Sequence, residues 1–373
     1  MRAPRVLIVG GGIAGLALAR LLAHTTITLD VIEREPAWRP AGTGIYLPGN
    51  ATRALRALGL EVPAALGAIE IPRQRFCDRR GRLLFEVDVA GLWAAVGPCL
   101  ALSRAALHDV LLRGAEGVAI RLGLTVQRLE AHDEIVSVEF SDGTTADYDV
   151  VVGADGIHST VRRLAVPHAP APRPVGQIGW RFVAPRIPQT STWSVMLGSG
   201  TAFLTIPTDA QRVYCYCDTL TSQGSTQAPP QEQLRQLCSQ FADPAATLLD
   251  ALDDRVDIHV SMIEELVLDG CTRERVVLIG DAAHATSPNM AQGAAMALED
   301  AVVLADCLRD IPAIPAALAA FHARRRRRTD WVRAQTHRRD RTRYLPSAVR
   351  DNVLRHLGRR IFHANYRPLL QAP

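Results

Sequence analysis

A short strand followed by a glycine-rich turn constrains the fold of this 373-residue chain more than any other feature. The β-branched run Arg5–Val9 leads into the segment Gly10–Gly15, and a helical pattern continues to Leu22. In such a unit the first glycine makes the turn, the second admits a pyrophosphate and the third lets the helix pack on the strand. The sequence therefore predicts a dinucleotide-binding α/β domain. The contacts predicted in the turn are Gly10, Gly12, Ile13, Ala14 and Gly15.

An acidic residue follows the next predicted strand. Thr26–Ile32 has a strand pattern and ends at Glu33, about 20 residues beyond the turn, where a carboxylate accepts hydrogen bonds from a ribose. A carboxylate at this position disfavours a 2′-phosphate, which leaves FAD and NAD as the expected dinucleotides. Arg34, the next residue, is included in the predicted cofactor site.

A second glycine-containing segment, Gly280–Ala301, also follows an apolar strand, Val276–Ile279. Asp281 stands at the end of that strand, and a helix of small residues is predicted to begin near Gly293. The free N–H groups and the positive dipole end of that helix would face whatever lies in the loop. This arrangement suits an electron-rich group that gains negative charge, and a reduced flavin ring has that property.

Charge and cysteine usage exclude several classes of protein. A net charge of +4 does not by itself indicate a nucleic-acid partner. The five-arginine run 324–328 is interpreted as the solvated face of a helix rather than a nucleic-acid or lipid patch, because no interleaved aromatic residues accompany it. The seven cysteines lack metal-ligand spacing and are expected to be reduced thiols of a cytoplasmic protein, with no metal site. No membrane span and no signal peptide are expected.

The α/β pattern is interrupted in the middle of the chain. Strand-like runs separated by prolines and polar turns, in 71–98 and 173–267, predict an antiparallel sheet with one helix over 231–241. A third glycine motif, the segment Gly153–Gly156, precedes most of this insertion. Helices are predicted after the insertion over 293–309, 313–339 and 347–358.

Taken in order, the three glycine motifs and the insertion resemble the group A FAD-dependent aromatic monooxygenases, the family of p-hydroxybenzoate and salicylate hydroxylases. The resemblance covers roughly residues 3–340. It implies an α/β (α+β overall) fold: a Rossmann-like FAD-binding domain with an inserted antiparallel-sheet substrate domain and C-terminal helices. The implied boundaries are 1–70, 99–172 and 268–340 for the FAD-binding domain, 71–98 and 173–267 for the substrate domain, and 341–373 for the C-terminal helical segment.

The resemblance also implies individual cofactor contacts. Glu33 matches the residue that holds the adenosine ribose, Arg104 the arginine near the FAD phosphates, and Asp281 the aspartate that holds the pyrophosphate and ribityl chain. Arg104 also occupies a predicted first helical turn, where a cation is unfavourable unless an anion lies nearby. The contacts added by resemblance are Gly44, Ile45, Arg104, Asp155, Asp281, Pro288, Gly293, Ala294 and Ala295.

The implied reaction is hydroxylation of a small aromatic or heteroaromatic substrate through a flavin C4a-hydroperoxide. Non-covalent FAD would carry the chemistry, with NADH or NADPH as transient donor and O2 as co-substrate, so no catalytic side chain is named. The weaker candidates for the substrate wall are Arg181, Tyr46, Tyr214 and Tyr216. A flavin dehydrogenase or reductase, a non-enzymatic FAD-binding scaffold, and a homodimeric state all stay open.

Overall fold

A computed structural model describes most of the chain. The described residues are 3–38, 43–61, 67–166, 168–222, 228–253 and 255–373. Among these residues no group of three or more His, Cys, Asp or Glu side chains is arranged to hold a metal ion. None of the helices found in those ranges is long and apolar enough to cross a membrane.

A six-stranded sheet forms the first layer, and its interior strands are mostly apolar. Arg5–Val9 lies in the centre and pairs in parallel with Thr28–Glu33 on one side and Val150–Gly153 on the other. One face is covered by helices, and the other packs against a small sheet (Val126–Ala131, Val136–Phe140 and Thr145–Tyr148) and the helix Thr160–Ala165, so both faces are buried. The full order is Thr272–Arg273, Val276–Leu278, Val150–Gly153, Arg5–Val9, Thr28–Glu33 and Ala119–Leu122. The covering helices are Ile13–Leu22, Arg104–Arg113, Thr160–Ala165, Asp281–His284 and Gly293–Asp310.

A seven-stranded sheet forms the second layer and is antiparallel except for one pair. Trp193–Leu197 runs parallel to Arg73–Asp78, because two distant segments of the chain meet there. Two helices, Pro230–Cys238 and Ala245–Asp250, cover one face of this sheet. The strand order is His259–Glu265, Arg173–Pro185, Arg212–Leu220, Thr201–Pro207, Trp193–Leu197, Arg73–Asp78 and Leu83–Asp88.

Two small antiparallel sheets and the remaining helices complete the fold. One sheet contains Gly44–Leu47, Leu100–Ser103 and Ile69–Glu70, and the other contains Val126–Ala131, Val136–Phe140 and Thr145–Tyr148. The remaining α-helices are Gly49–Ala57, Val89–Trp93, Ile314–Arg341 and Ser347–Tyr366. Single 3-10 turns are Pro188–Thr190, Pro288–Met290, Thr342–Tyr344 and Arg367–Leu370.

The predicted fold class is confirmed, with differences at several elements. The strand Val126–Ala131 and the helix Ala245–Asp250 were not predicted, and the last long helix continues to Tyr366 instead of ending at residue 358. The seven cysteines are unpaired, as expected. The division of the chain into domains at the stated boundaries stays a prediction.

The interpretation of the arginine run as a solvated face is wrong for two of its members. Arg325 is 2% exposed and donates to Glu299 and Asp300, while Arg328 donates twice to Glu299. A buried carboxylate is costly unless it is paired, so these arginines neutralise two acids of the adjacent helix. These two arginines therefore help the helices Gly293–Asp310 and Ile314–Arg341 to pack against each other.

Candidate active site

A cavity of about 630 Å³ lies where the glycine turns meet the seven-stranded sheet and the helix Ser347–Tyr366. Ligand pockets commonly have volumes of roughly 300–1,000 Å³. The predicted residues that line it are Gly12, Ile13, Ala14, Gly44, Ile45, Tyr46, Arg104, Arg181, Tyr214, Tyr216, Asp281, Pro288, Gly293 and Ala294. Segments that are remote in sequence thus meet around one space.

In the first glycine turn, two glycines leave no room for a side chain and a third has free space around it. Gly10 has φ of 111°, and a Cβ on it would lie 2.4 Å from the carbonyl oxygen of Ala154. A Cβ on Gly15 would lie 2.0 Å from the carbonyl oxygen of Gly10, so the helix could not pack on the turn. A Cβ on Gly12 would meet no atom within 4 Å. The open side of Gly12 faces the cavity and leaves room for a phosphate to approach the backbone.

Two helix amino termini border the same cavity. Gly12 caps Ile13–Leu22 and Gln292 caps Gly293–Asp310, and neither cap residue accepts a side-chain hydrogen bond from its helix. The first N–H groups of a helix have no intrahelical partner, and the dipole adds positive potential there. The two termini therefore fit the pyrophosphate and the electron-rich ring of a flavin dinucleotide.

Two charged side chains, Asp281 and Arg104, lie beside these two helix termini, and together they form what we call the cofactor cradle. Gly280 adopts φ of 60° and ψ of −142° and donates its N–H to Asp300 at 2.8 Å, which fixes the start of the short helix carrying Asp281. Asp281 lines the cavity and is suited to accept hydrogen bonds from hydroxyl groups. Arg104 begins the helix that Ser103 caps, and its cationic side chain also faces the cavity.

Six predicted cofactor residues do not line the cavity: Gly10, Gly15, Glu33, Arg34, Asp155 and Ala295. Glu33 accepts a hydrogen bond from the N–H of Gly11 at 2.8 Å and so holds the glycine turn. Asp155 accepts from the Ser159 hydroxyl and the Thr160 N–H, which caps the following helix. Arg34 is exposed and lies 3.8 Å from Glu35. Their contact with a bound cofactor stays a prediction.

One strand of the seven-stranded sheet provides a polar wall. In Arg212–Leu220, Tyr214 and Tyr216 face the cavity, as predicted from their shared face, while the intervening Cys215 belongs to the core behind. Burial raises the pKa of Tyr214 to about 12, although Arg181 opposes the rise. The Arg181 guanidinium lies 5.2 Å from the centre of the Tyr216 ring and donates to Ser261 at 2.8 Å.

Asp218 also lies on this wall and was not predicted. It is 1% exposed, and Arg343 donates to its Oδ2 at 2.9 Å. Its Oδ1 and the Tyr216 hydroxyl are buried and make no hydrogen bond within the described ranges. Burial raises the pKa of Asp218, and Arg343 opposes that rise. The Tyr216 hydroxyl also lowers the pKa of Asp218, so it lies near this carboxylate, and both groups keep hydrogen-bonding capacity for a ligand.

The rest of the cavity is largely apolar. Phe76 stacks on Phe85 with ring centres 4.3 Å apart, and Phe362 of the last long helix meets Phe76 at 6.2 Å. Tyr46 is tied to the sheet, because Gln74 donates to its hydroxyl at 2.9 Å and Trp193 packs edge-on against its ring. Further apolar lining residues are Val195, Leu197, Leu204, Ile206, Met262, Ile263, Val353, Leu354 and Ile361.

A family model described as an FAD binding domain matches residues 4–336. The aurachin C monooxygenase/isomerase of Stigmatella aurantiaca is 32% identical over 336 residues, covering 88% of this chain and 86% of that protein. The 2-heptyl-3-hydroxy-4(1H)-quinolone synthase of Pseudomonas aeruginosa is 35% identical over 340 residues, covering 89% and 87%.

A solved structure has a similar fold. The crystal structure of Klebsiella pneumoniae HpxO, complexed with FAD and uric acid, superposes with a TM-score of 0.81 at 26% identity. It covers 98% of this chain and 92% of that chain. The likeness therefore extends over both sheets and the helices between them.

Proposed function

We propose a substrate class for this chain, from the premise that it belongs to the FAD binding domain family and is an FAD-dependent monooxygenase of aromatic compounds. The substrate is a heteroaromatic ring that carries an N–H or O–H donor and an apolar substituent, such as a 2-alkyl-4-quinolone. FAD is bound non-covalently, and NADH or NADPH is the electron donor.

The observation that carries this proposal is the unequal lining of the cavity. Arg181, Tyr216 and Asp218 lie together on the polar wall, and most of the other side chains that line the cavity from the sheet and the last long helix are aliphatic or phenylalanine. An apolar wall stabilises a bound alkyl group by roughly 0.8 kcal/mol per buried CH₂, whereas a small polar ring would gain little from it. A quinolone relative at 35% identity agrees with a ring that bears an alkyl chain.

The polar wall is suited to recognise a donor on the ring. Asp218 Oδ1 has no partner among the described residues, and its neighbour Oδ2 is held by Arg343. A carboxylate oxygen accepts, so it selects a ligand with N–H or O–H rather than a second acceptor. Arg181 can balance negative charge that develops on a ring oxygen. The wall therefore binds and orients the ring.

The cradle residues support the cofactor and exclude water. Bound FAD supplies hydride acceptance and oxygen transfer, the chemistry that side chains lack. Asp281 and the helix terminus at Gly293 would hold the sugar chain and the ring, and Gly12 and Arg104 the phosphates. One glycine turn of the Gly10–Gly15 kind occurs in the described chain, so the nicotinamide donor visits without a Rossmann domain of its own.

The experiment is a ligand screen with FAD-loaded protein and either nicotinamide. The panel contains 2-heptyl-4(1H)-quinolone, unsubstituted 4(1H)-quinolone, urate and salicylate. We expect the heptylquinolone to give the largest increase in the anaerobic rate of flavin reduction and, in air, a product heavier by one oxygen atom. Stopped-flow absorbance and mass spectrometry measure the two effects.

Three outcomes would contradict parts of the proposal. If urate or salicylate is turned over best, the assignment of an alkyl-bearing substrate fails. If a tight ligand is consumed without gaining oxygen, the chain is a dehydrogenase of the same fold. If the supernatant of heat-treated, FAD-supplemented protein contains no FAD, the cofactor assignment is wrong.

A further inference from the structure

The last long helix, Ser347–Tyr366, carries an exposed apolar stripe. Its members stand four residues apart: Val349 (53% exposed), Val353 (40%), Leu357 (43%) and Ile361 (41%). At about 100° per residue they cover about 120° of the helix surface. Tyr344 and Leu345, in the preceding turn, are 61% and 45% exposed and extend the stripe. Contiguous exposed apolar surface of this kind indicates a binding surface.

The surface beside the stripe is strongly basic. Over residues 341–373 the sequence contains a single acidic residue, Asp351, and it lies 2.9 Å from the buried Arg350. The exposed arginines of this region are Arg341, Arg355, Arg359, Arg360 and Arg367. A helix that exposes apolar side chains together with arginines is typical of binding in the headgroup region of an anionic membrane.

The stripe is continuous with the cavity described above. Leu345, Val353 and Ile361 line the cavity as well as the outer surface. Val349 and Leu357 do not line it, so their exposure is not explained by the cavity. An apolar surface that joins the outside to the cavity would let a lipophilic compound pass from a bilayer without crossing water.

We propose that this helix binds to the surface of an anionic lipid bilayer, with the stripe at the headgroup boundary and the arginines against lipid phosphates. A second copy of the chain fits less well, because both copies would bring an arginine-rich surface to the contact. The proposal rests on exposure and charge and does not depend on the substrate class.

The test is co-sedimentation of FAD-loaded protein with vesicles of phosphatidylcholine and phosphatidylglycerol at a 3:1 ratio. Vesicles of phosphatidylcholine alone are the lipid control. We expect binding to the anionic vesicles at low salt, weakened at least fivefold by high salt and by omission of phosphatidylglycerol, since screening reduces charge attraction.

Two pairs of variants locate the surface. Val349→Ser with Leu357→Ser removes apolar area outside the cavity, and Leu122→Ser with Leu164→Ser removes similarly exposed leucines (36% and 38%) elsewhere. We expect the first pair to lower the pelleted fraction at least fivefold and the second to leave it within twofold of the unaltered protein. FAD content and circular dichroism verify that each variant is folded.

A second comparison separates this surface from the arginine run. Arg359→Glu with Arg360→Glu should lower vesicle binding at least fivefold, whereas Arg326→Glu with Arg327→Glu, exposed positions of the other basic segment, should not. The proposal is overturned if the unaltered protein does not pellet, or if the stripe variants pellet equally well. It is also overturned if sedimentation velocity shows a dimer that the stripe variants convert to a monomer while no vesicle binding occurs.

Discussion

Side chains around the cavity differ in whether their polar atoms already have partners. Asp155 is engaged by the start of its own helix, so it supports a loop. Asp281 faces the cavity, and its carboxylate makes no hydrogen bond or ion pair with another described residue. Asp218 offers one unpartnered oxygen. Unpaired acceptors at a concave surface are the atoms that a ligand must satisfy.

Asp281 is expected to contribute to cofactor affinity. Asp281→Ala would leave cofactor hydroxyls without an acceptor, at a cost of roughly 1–3 kcal/mol, so FAD affinity should fall by about one to two orders of magnitude. Fluorescence titration of the apoprotein with FAD measures the change. Glu116→Ala, which removes an exposed carboxylate beyond the cavity, is the control and should bind FAD normally. An unchanged titration for the Asp281 variant would remove this residue from the cofactor site.

Asp218 is expected to discriminate between ligands with and without a ring donor. Asp218→Asn keeps the side-chain shape but removes the charged acceptor, so KM for an N–H substrate should rise about tenfold or more, since bonds to charged groups contribute roughly 1.5–3 kcal/mol. An N-methyl analogue lacks the donor, and its KM should stay within about twofold. Equal effects on both compounds would show a structural role for Asp218 through Arg343.

Part of this wall was predictable from strand periodicity. Tyr214 and Tyr216 were placed on one face because side chains two apart in a strand point the same way. The same rule extends to Asp218, the next member of that face, which was not predicted. The rule cannot predict the contact with the buried Arg343, which lies in a turn 125 residues further along the chain and donates a hydrogen bond to one oxygen of Asp218.

At the scale of elements, strongly periodic segments were predictable and context-dependent ends were not. The last long helix was predicted to end at residue 358, which is a glycine, and glycine is unfavourable inside helices. The helix instead continues to Tyr366. A Cβ at Gly358 would lie 2.4 Å from the Phe85 ring, so no larger residue fits at this position of the helix. Close packing against the sheet therefore explains this glycine. The strand Val126–Ala131 is mostly exposed and carries too weak an apolar pattern to be recognised.

A buried ionic network joins three helices and predicts a pH dependence. Burial alone would raise the pKa of Asp300, but His284 and Arg325 lower it to about 2. The usual aspartate pKa is about 3.9, so this lowering stabilises the fold above about pH 4 and the contribution is lost as the pH falls towards 2. Its size is roughly 2 kcal/mol.

Asp300→Asn should therefore flatten the pH dependence of unfolding. The variant lacks the titrating carboxylate, so its free energy of unfolding should be lower at pH 7 and should fall less steeply between about pH 4 and 2. Urea unfolding at a series of pH values measures both. Asp306→Asn, on the same helix but paired with exposed arginines, is the matched control and should keep the slope. A retained slope in the Asp300 variant would mean that other carboxylates determine the acid limit.

At the scale of the whole molecule, the cavity exists only because the two sheets and the last long helix meet. The sequence indicated most of the cradle, since each glycine motif is local and carries its own geometry. It did not indicate the apolar wall, where Phe76, Val195 and Phe362 come from three separate elements. Local patterns define elements, whereas the shape of the space between them depends on tertiary contacts.

That apolar wall allows a test of substrate length. Val195 is half-buried on the strand Trp193–Leu197 and faces the cavity, so Val195→Phe would fill space that an alkyl chain needs. Displacing two or three methylenes costs roughly 2 kcal/mol, which corresponds to about a 30-fold rise in KM for 2-heptyl-4(1H)-quinolone. The unsubstituted quinolone should change by less than about threefold, and FAD affinity should not change. Val195→Ile, one methylene larger than valine, should give an intermediate effect. If both quinolones weaken equally, Val195 borders the ring instead of the chain; if neither weakens, the alkyl group lies elsewhere.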